Sequence, residues 1–97
     1  MVTWDTTARF DKDLADLDPD DRRRFQRAVA DFADDLRSGR GFRPGLRVKR
    51  VVGTRDIWEM TWAPDGRGTW QYGDEIRRGE AHVIWRRVGT HDVLRAA

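Results

Sequence analysis

Residues 57–72, IWEMTWAPDGRGTWQY, decide the fold because two alternating stretches flank a tight turn. In Ile57–Trp62 large apolar side chains occupy every second position, which predicts a half-buried strand: Trp58, Met60 and Trp62. Glu59 then falls on the opposite, more polar face. Pro64-Asp65-Gly66 is typical of a hairpin turn, and Arg67–Tyr72 is the candidate returning strand. The stretch therefore predicts an antiparallel hairpin.

The hairpin extends on both sides into a predicted antiparallel meander of three to four strands. Leu46–Val52 precedes it, with apolar and basic residues alternating at its start. His82–Val88 follows a polar loop at 73–80, and its apolar content favours a central strand. For Trp70 and Trp85 the pattern leaves two interpretations open, burial in the core or stacking on a nucleic-acid base.

The sequence before the meander predicts a short strand and two helices. Val2–Asp5 is the candidate strand, and Thr6 or Thr7 can cap the first helix, whose apolar stripe is Phe10, Leu14 and Leu17. Asp18-Pro19 begins a second helix, which ends at Gly39 and Gly41. The fold class is therefore α+β: an N-terminal strand, a two-helix hairpin and the meander, in one domain of residues 1–97.

Charge is distributed unevenly along the 97 residues, although the net charge is only +2. Residues 1–35 carry ten aspartates and a net charge of −4, whereas residues 36–97 carry a net charge of +6. The second part of the chain is therefore the candidate surface for a polyanion. Seventeen of the nineteen basic residues are arginine, which suits bidentate phosphate contacts, although a GC-rich genome enriches arginine as well.

Several classes of protein are disfavoured by composition. The chain has no cysteine, so neither disulfides nor thiolate metal sites are expected. No stretch is apolar enough to cross a bilayer, and Met1–Asp5 does not resemble the start of a signal peptide. We expect a soluble cytoplasmic protein without a membrane partner. His82, His91 and Asp92 do not form a metal-ligand pattern, so we expect no metal and no cofactor.

Four short segments occur in a fixed order along nearly the whole chain: Lys12-Asp13-Leu14, Leu46-Arg47-Val48-Lys49, Trp58-Glu59-Met60 and Val88-Gly89-Thr90-His91. In this order the chain resembles the RelE/ParE superfamily of bacterial toxins, and most of all its RelE-like branch. The resemblance implies a toxin of a type II toxin-antitoxin system, held inactive by a cognate antitoxin protein. RelE-like members with ribonuclease activity cleave mRNA, usually on the ribosome, without metal. ParE-like relatives share the fold and instead inhibit DNA gyrase, which is the alternative function.

The resemblance assigns roles to particular residues. Glu59 resembles the general base, and Arg67, with Arg87 or its neighbour Arg86, would stabilise the scissile phosphate. His91 would be the general acid, a role that suits imidazole because its ordinary pKa of about 6.5 lies near neutrality. The tail Leu94–Ala97 lacks the tyrosine of the RelE pattern, so the acid function depends on His91. The candidate RNA-binding residues are Arg47, Lys49, Arg50 and Arg86.

Each candidate also has a structural interpretation. Glu59 can pair with Arg47 or Lys49 across the strands, and Arg67 can be a solvated turn residue. His82, at the start of a strand, is better explained as structural. Arg86 and Arg87 can have a solubilising role, and His91 can cap the last segment. An exposed edge strand such as Leu46–Val52 can pair with an antitoxin segment.

Overall fold

The computed structural model describes residues 2–97. Its elements follow the predicted order, with a 3₁₀ turn before the meander and a 3₁₀ segment at the C-terminus. In chain order they are β1 (Thr3–Thr6), α1 (Ala8–Asp16), α2 (Pro19–Ser38), the 3₁₀ turn (Pro44–Leu46), β2 (Lys49–Arg50), β3 (Trp58–Ala63), β4 (Gly66–Gly73), β5 (His82–Thr90) and the C-terminal 3₁₀ segment (His91–Ala96).

The strands form one mixed sheet in the order β1-β5-β4-β3-β2. Strands β2 to β5 form the predicted antiparallel meander. Strand β1 lies beside β5 in parallel orientation, which is possible because two helices rather than a tight turn follow it. The predicted α+β fold is therefore confirmed, and β1 is an edge strand of the same sheet.

Both helices begin at the predicted capping residues. Thr7 Oγ1 accepts a hydrogen bond from the Phe10 amide at the start of α1, and an Asp18 carboxylate oxygen accepts one from the Asp21 amide at the start of α2. At the other end of α2, Gly39 adopts a left-handed conformation with φ of 69°, which glycine tolerates without a steric cost. Local sequence chemistry thus determines where α2 begins and ends.

The helices cover one face of the sheet, which we call the helix face, and the opposite side is the outer face. Met60, Trp70 and Trp85 lie in the core on the helix face together with Phe25 and Phe32 of α2. The Phe32 and Trp70 ring centroids are 4.7 Å apart in an edge-on arrangement, a favourable geometry for aromatic pairs. Trp70 and Trp85 are thus core residues, and the open possibility that one of them stacks on a base is not supported.

The prediction of a strand over Leu46–Val52 is wrong for most of its length. Only Lys49–Arg50 pairs with β3, and Pro44–Leu46 instead forms the 3₁₀ turn. Pro44 has a fixed φ that suits such a turn, and the turn buries Leu46 in the core. Arg47 follows with φ of 48°, the left-handed region that non-glycine residues seldom adopt.

The 3₁₀ turn is tied to the end of α2 by Arg43. Its backbone amide and its guanidinium both donate to the Asp35 carboxylate, with N···O distances of 2.8 and 2.9 Å. The Arg43 guanidinium also pairs with Asp31 at 3.1 Å. The hydrogen bonds from Arg43 lower the pKa of Asp35 below its ordinary value of 3.8. This contact holds the residues that lead into β2.

We therefore expect Asp35→Asn to lower the Tm at neutral pH. A carboxyl group with a lowered pKa stabilises the fold above its ordinary pKa, and this contribution is lost as the pH falls through the lowered value. The Tm difference between wild type and Asp35→Asn should thus be largest near pH 7 and shrink below pH 3.8. Thermal unfolding from pH 2 to pH 7 measures it.

Asp34→Asn is the matched control, because Asp34 pairs with Arg37 on the exposed surface of the same helix and, within residues 2–97, forms no hydrogen bond with Arg43. If both variants showed the same small, pH-independent change in Tm, Asp35 would not anchor the 3₁₀ turn.

Candidate functional site

A cleft of about 580 Å³ opens at the outer face of the sheet. Its walls come from the segment around β2, from the outer faces of β3 and β4, and from the C-terminal 3₁₀ segment. The lining residues are Arg47, Val48, Lys49, Val51, Val52, Glu59, Thr61, Arg67, His91 and Leu94. Five predicted site residues, distant in sequence, therefore line one cavity.

Glu59 forms the floor of this cleft. Burial of Met60 on the helix face turns the neighbouring Glu59 side chain to the outer face, as strand alternation requires. Lys49 lies directly opposite it on β2, and Thr69 lies opposite it on β4. The Glu59 side chain is only 5% exposed, and its carboxylate is 4.0 Å from the Arg67 Nε atom. A largely buried carboxylate thus faces a group of cations.

The cations reach the cleft from two directions. Arg67 is the second residue of β4, directly after the β3–β4 turn. Its guanidinium donates hydrogen bonds to the carbonyl oxygens of Pro64 and Gly66, which fix the orientation of the side chain. Arg47 and Lys49 are exposed at the opposite rim. Arg47 lines the cleft from its left-handed backbone position. The predicted cross-strand neighbourhood of Glu59 and Lys49 is present, and both residues also line the cavity.

His91 is the first residue of the C-terminal 3₁₀ segment and lines the cleft from its third side. The segment is held against the sheet by Val93, which is buried. A Cβ atom at Gly89 would lie only 2.9 Å from Val93 Cγ1, so the small residue allows this close approach. His91 itself is exposed. The cleft therefore combines a buried carboxylate, three cations and an exposed imidazole.

Sequence reasoning missed the other lining residues. Thr61 shares the outer face with Glu59, and strand alternation alone would have included it. The apolar lining residues are Val48, Val51, Val52 and Leu94. No sequence pattern indicated them, because their positions depend on the 3₁₀ turn before β2 and on the packing of the C-terminal 3₁₀ segment against the sheet.

Arg87, predicted to be catalytic, does not line the cleft. Its Nε atom is 2.6 Å from the Asp13 carboxylate of α1, and one of its terminal nitrogens donates to the Ala96 carbonyl. Asp13 also accepts a hydrogen bond from the Val88 amide. Val88 lies beyond the end of β1, whose last residue pairs with Trp85. Arg87 therefore joins α1, the free edge of β5 and the C-terminal segment.

Arg86 and Arg50, both predicted to bind RNA, also lie outside the cleft. Arg86 donates to the Gln71 side chain and to the Ala97 carbonyl, so it too holds the C-terminus. Arg50 lies opposite Trp58 with its guanidinium carbon 5.3 Å from the ring centroid, a cation–π contact at the sheet edge.

His82 is structural, as the sequence indicated. It is buried at the start of β5, its Nδ1 atom lies 2.8 Å from Thr3 Oγ1, and it thereby joins β5 to β1. Within residues 2–97, no cluster of three or more potential metal-ligating side chains is present. None of the helices formed by these residues is long and apolar enough to span a membrane.

A second groove of about 490 Å³ lies between α2 and β3. Its floor is apolar, with Ala28, Leu46 and Trp62, and arginines from α2 and Arg43 line its rim. Strand β2 pairs only with the first two residues of β3, so along Thr61–Ala63 this edge of β3 has no strand partner within the described part of the chain. The groove thus runs beside an open strand edge.

Because the Asp13–Arg87 pair is mostly buried, we expect Arg87→Ala to destabilise the fold. The two side chains are only 15% and 13% exposed, so removing one partner should lower the free energy of unfolding by about 2–4 kcal/mol. Denaturant unfolding measures this change. Arg95→Ala is the control, because Arg95 is 87% exposed. Wild-type stability of Arg87→Ala would show that Arg87 does not join these elements.

Comparison with solved structures shows which known folds this architecture resembles. No protein-family model and no curated protein sequence matches the chain. In structure, the chain is similar to YafQ in the DinJ–YafQ toxin-antitoxin complex of E. coli, with a TM-score of 0.63, 12% identity and 96% of each chain covered. It is also similar to RelE in the RelB–RelE antitoxin-toxin complex of Methanococcus jannaschii, with a TM-score of 0.60, 14% identity and 94% of each chain covered.

A third similar structure is the conserved hypothetical protein HP0892 of Helicobacter pylori, with a TM-score of 0.55 and 24% identity over 97% of this chain and 99% of that one. All three similarities extend over nearly the whole length of both chains. The element order, the mixed sheet and these similarities together show that the chain has the fold of the RelE-like toxins.

Proposed function

We propose that the protein is the toxin of a type II toxin-antitoxin system and a metal-independent endoribonuclease that cleaves mRNA on the ribosome in the cytoplasm. The observation that carries this proposal is the outer-face cleft, in which Glu59, three cations and His91 surround one cavity. Cleavage by the RNA's own 2′-hydroxyl requires a general base, cations for the phosphate charge and a general acid, and a carboxylate, a cationic binding site and an imidazole can supply these.

In the proposed reaction Glu59 is the general base. It takes the proton of the 2′-hydroxyl, whose oxygen attacks the adjacent phosphorus and forms a new P–O bond. The bond between phosphorus and the 5′-oxygen of the next nucleotide breaks, and His91 gives that oxygen a proton. The products are a 2′,3′-cyclic phosphate and a free 5′-hydroxyl. Glu59 on the floor and His91 on another wall suit the two separate proton transfers.

Arg67, Arg47 and Lys49 are the proposed phosphate-binding groups. Negative charge increases on the phosphate oxygens as the fifth P–O bond forms, and fixed cations stabilise this charge best where water is partly excluded. Arg67 suits the scissile phosphate because two backbone carbonyls already orient its guanidinium. Arg47 and Lys49, exposed at the rim, suit the flanking phosphates.

The arginines outside the cleft take other roles in this proposal. Arg87 supports the site by holding the C-terminal segment that carries His91. Arg86 and Arg50 were predicted to bind RNA, and in this proposal they bind only RNA that extends beyond the cleft.

The proposed regulator is a cognate antitoxin that binds the groove between α2 and β3. YafQ and RelE, the structural neighbours, form complexes with the antitoxins DinJ and RelB. An extended segment could pair with the open edge of β3 at Thr61–Ala63 and place apolar side chains on Leu46 and Trp62. Arg27, a rim arginine without an ion pair among residues 2–97, favours an acidic residue in that segment.

The nuclease proposal predicts that Glu59→Gln and His91→Ala each lower RNA cleavage by about 10²- to 10⁴-fold, the usual contribution of a general base or acid. The measurement is cleavage of mRNA by purified protein on programmed ribosomes, together with growth arrest and mapping of mRNA 5′ ends after induction in a bacterial host. Asp92→Asn is the matched control, because Asp92 lies in the same segment as His91 and does not line the cleft.

Wild-type cleavage by His91→Ala would remove His91 from the mechanism. Intact mRNA combined with inhibited DNA supercoiling would replace the nuclease proposal with the ParE-like alternative.

The antitoxin proposal predicts that Arg27→Glu remains toxic but is no longer neutralised when the antitoxin is co-expressed. Arg27 lines the groove, is exposed and has no ion pair within residues 2–97, so its charge is available to an acidic partner. Arg23→Glu is the control on the same helix, because Arg23 pairs with Asp20 and lies outside the groove. Equal neutralisation of both variants would place the antitoxin elsewhere.

A further inference from the structure

Thr69 has a buried hydroxyl group without an evident structural purpose. Thr69 lies in β4 and is 0% exposed. Its Oγ1 atom has no hydrogen-bond partner in the part of the chain that the structure describes. Proteins pair nearly all their buried hydroxyl groups, because an unpaired one loses its bonds to water without replacement. Valine has nearly the same shape and would avoid this cost, so the hydroxyl itself needs an explanation.

The residue directly opposite Thr69 on β3 is Glu59. Opposite side chains on one face of an antiparallel pair have their Cβ atoms about 4.5–5.5 Å apart, within hydrogen-bonding reach of a hydroxyl and a carboxylate. The Glu59 side chain is 5% exposed, and its ion pair with Arg67 is long, at 4.0 Å. Among residues 2–97, a buried donor without a partner thus lies beside a buried acceptor whose ion pair is long.

We propose that Thr69 is a positioning residue for Glu59, a role that rests on the nuclease function proposed above. When RNA enters the cleft, its phosphate competes with the carboxylate for the Arg67 guanidinium, whose Nε atom is already 4.0 Å from Glu59. The Thr69 hydroxyl then rotates and donates a hydrogen bond to one carboxylate oxygen of Glu59. The other oxygen stays free to take the proton of the 2′-hydroxyl, and Thr69 itself neither gains nor loses a proton in the reaction.

A neutral donor suits this role because, apart from the Thr61 hydroxyl, the polar side chains that line the cleft with Glu59 are charged or titratable. These groups come from β4, from the segment leading into β2, from β2 and from the C-terminal segment: Arg67, Arg47, Lys49 and His91. The cations are also the groups that RNA phosphates attract, so they cannot hold Glu59 and the substrate equally. A hydroxyl does not compete for phosphate charge, and it favours the ionised carboxylate that a general base needs.

The test compares wild type with Thr69→Val and Thr69→Ser. Thr69→Val should keep or raise the Tm and keep the affinity for an uncleavable 2′-O-methyl RNA oligonucleotide. Its kcat/KM for RNA cleavage should fall by about tenfold, as expected for one lost hydrogen bond. The acid limb of its pH–rate profile should move to higher pH, because the ionised base has lost a donor. Thr69→Ser should behave as wild type, and Thr69→Val should cause no further loss in a Glu59→Gln background.

Three results would overturn the role of Thr69 alone while wild type remains an active nuclease. These are an unchanged rate and pH profile in Thr69→Val, a lowered Tm that serine does not restore, and an undiminished effect of Thr69→Val in the Glu59→Gln background. A wild-type protein that cleaves no RNA would instead overturn the nuclease proposal, and with it the role of Thr69.

Discussion

The burial of Met60 and Trp70 against α2 is the constraint on which the site depends. Both side chains are 0% exposed and point to the helix face. Since strand side chains alternate, their neighbours Glu59 and Thr69 must point to the outer face, opposite one another. A shift of one residue in this register would exchange the carboxylate with the core. The packing of the hydrophobic core therefore determines that the candidate catalytic groups lie on the outer face of the sheet.

Regions in which local chemistry decides the structure were predictable from the sequence. Asp18-Pro19 and Gly39 define the long helix, and the alternation around Pro64-Asp65-Gly66 defines the hairpin that places Glu59 on the outer face. The segment before β2 was not predictable from alternation, because burial of Leu46 competes with strand pairing and wins. Periodicity describes a side chain's direction only while the backbone stays regular.

The position of Arg86 and Arg87 outside the cleft has a related reason. The register moves from Thr69 opposite Arg87 to Trp70 opposite Trp85, so β5 has an irregularity at Arg86. Alternation cannot be continued through such a point. Both arginines also bind partners outside the sheet: Arg87 binds Asp13 of α1 and the Ala96 carbonyl, and Arg86 binds the Ala97 carbonyl. The sequence alone does not distinguish a pair of arginines that binds a substrate from a pair that binds other residues of the same chain.

Several residues at the cleft have a backbone conformation or a buried polar group that lowers the stability of the fold. Arg47 adopts a left-handed backbone that costs a non-glycine residue about 1 kcal/mol. In the described part of the chain, Glu59 is buried with a long ion pair to Arg67, and the Thr69 hydroxyl beside it has no hydrogen-bond partner. Glycine, an apolar residue and valine would each relieve one of these costs. Elsewhere, Asp13, Asp18 and Asp35 all have close hydrogen-bond partners. A buried polar atom without a partner among residues 2–97 also occurs elsewhere, at the Trp62 indole nitrogen. Three such costs side by side at one cavity are nevertheless expected where residues are retained for chemistry rather than for stability.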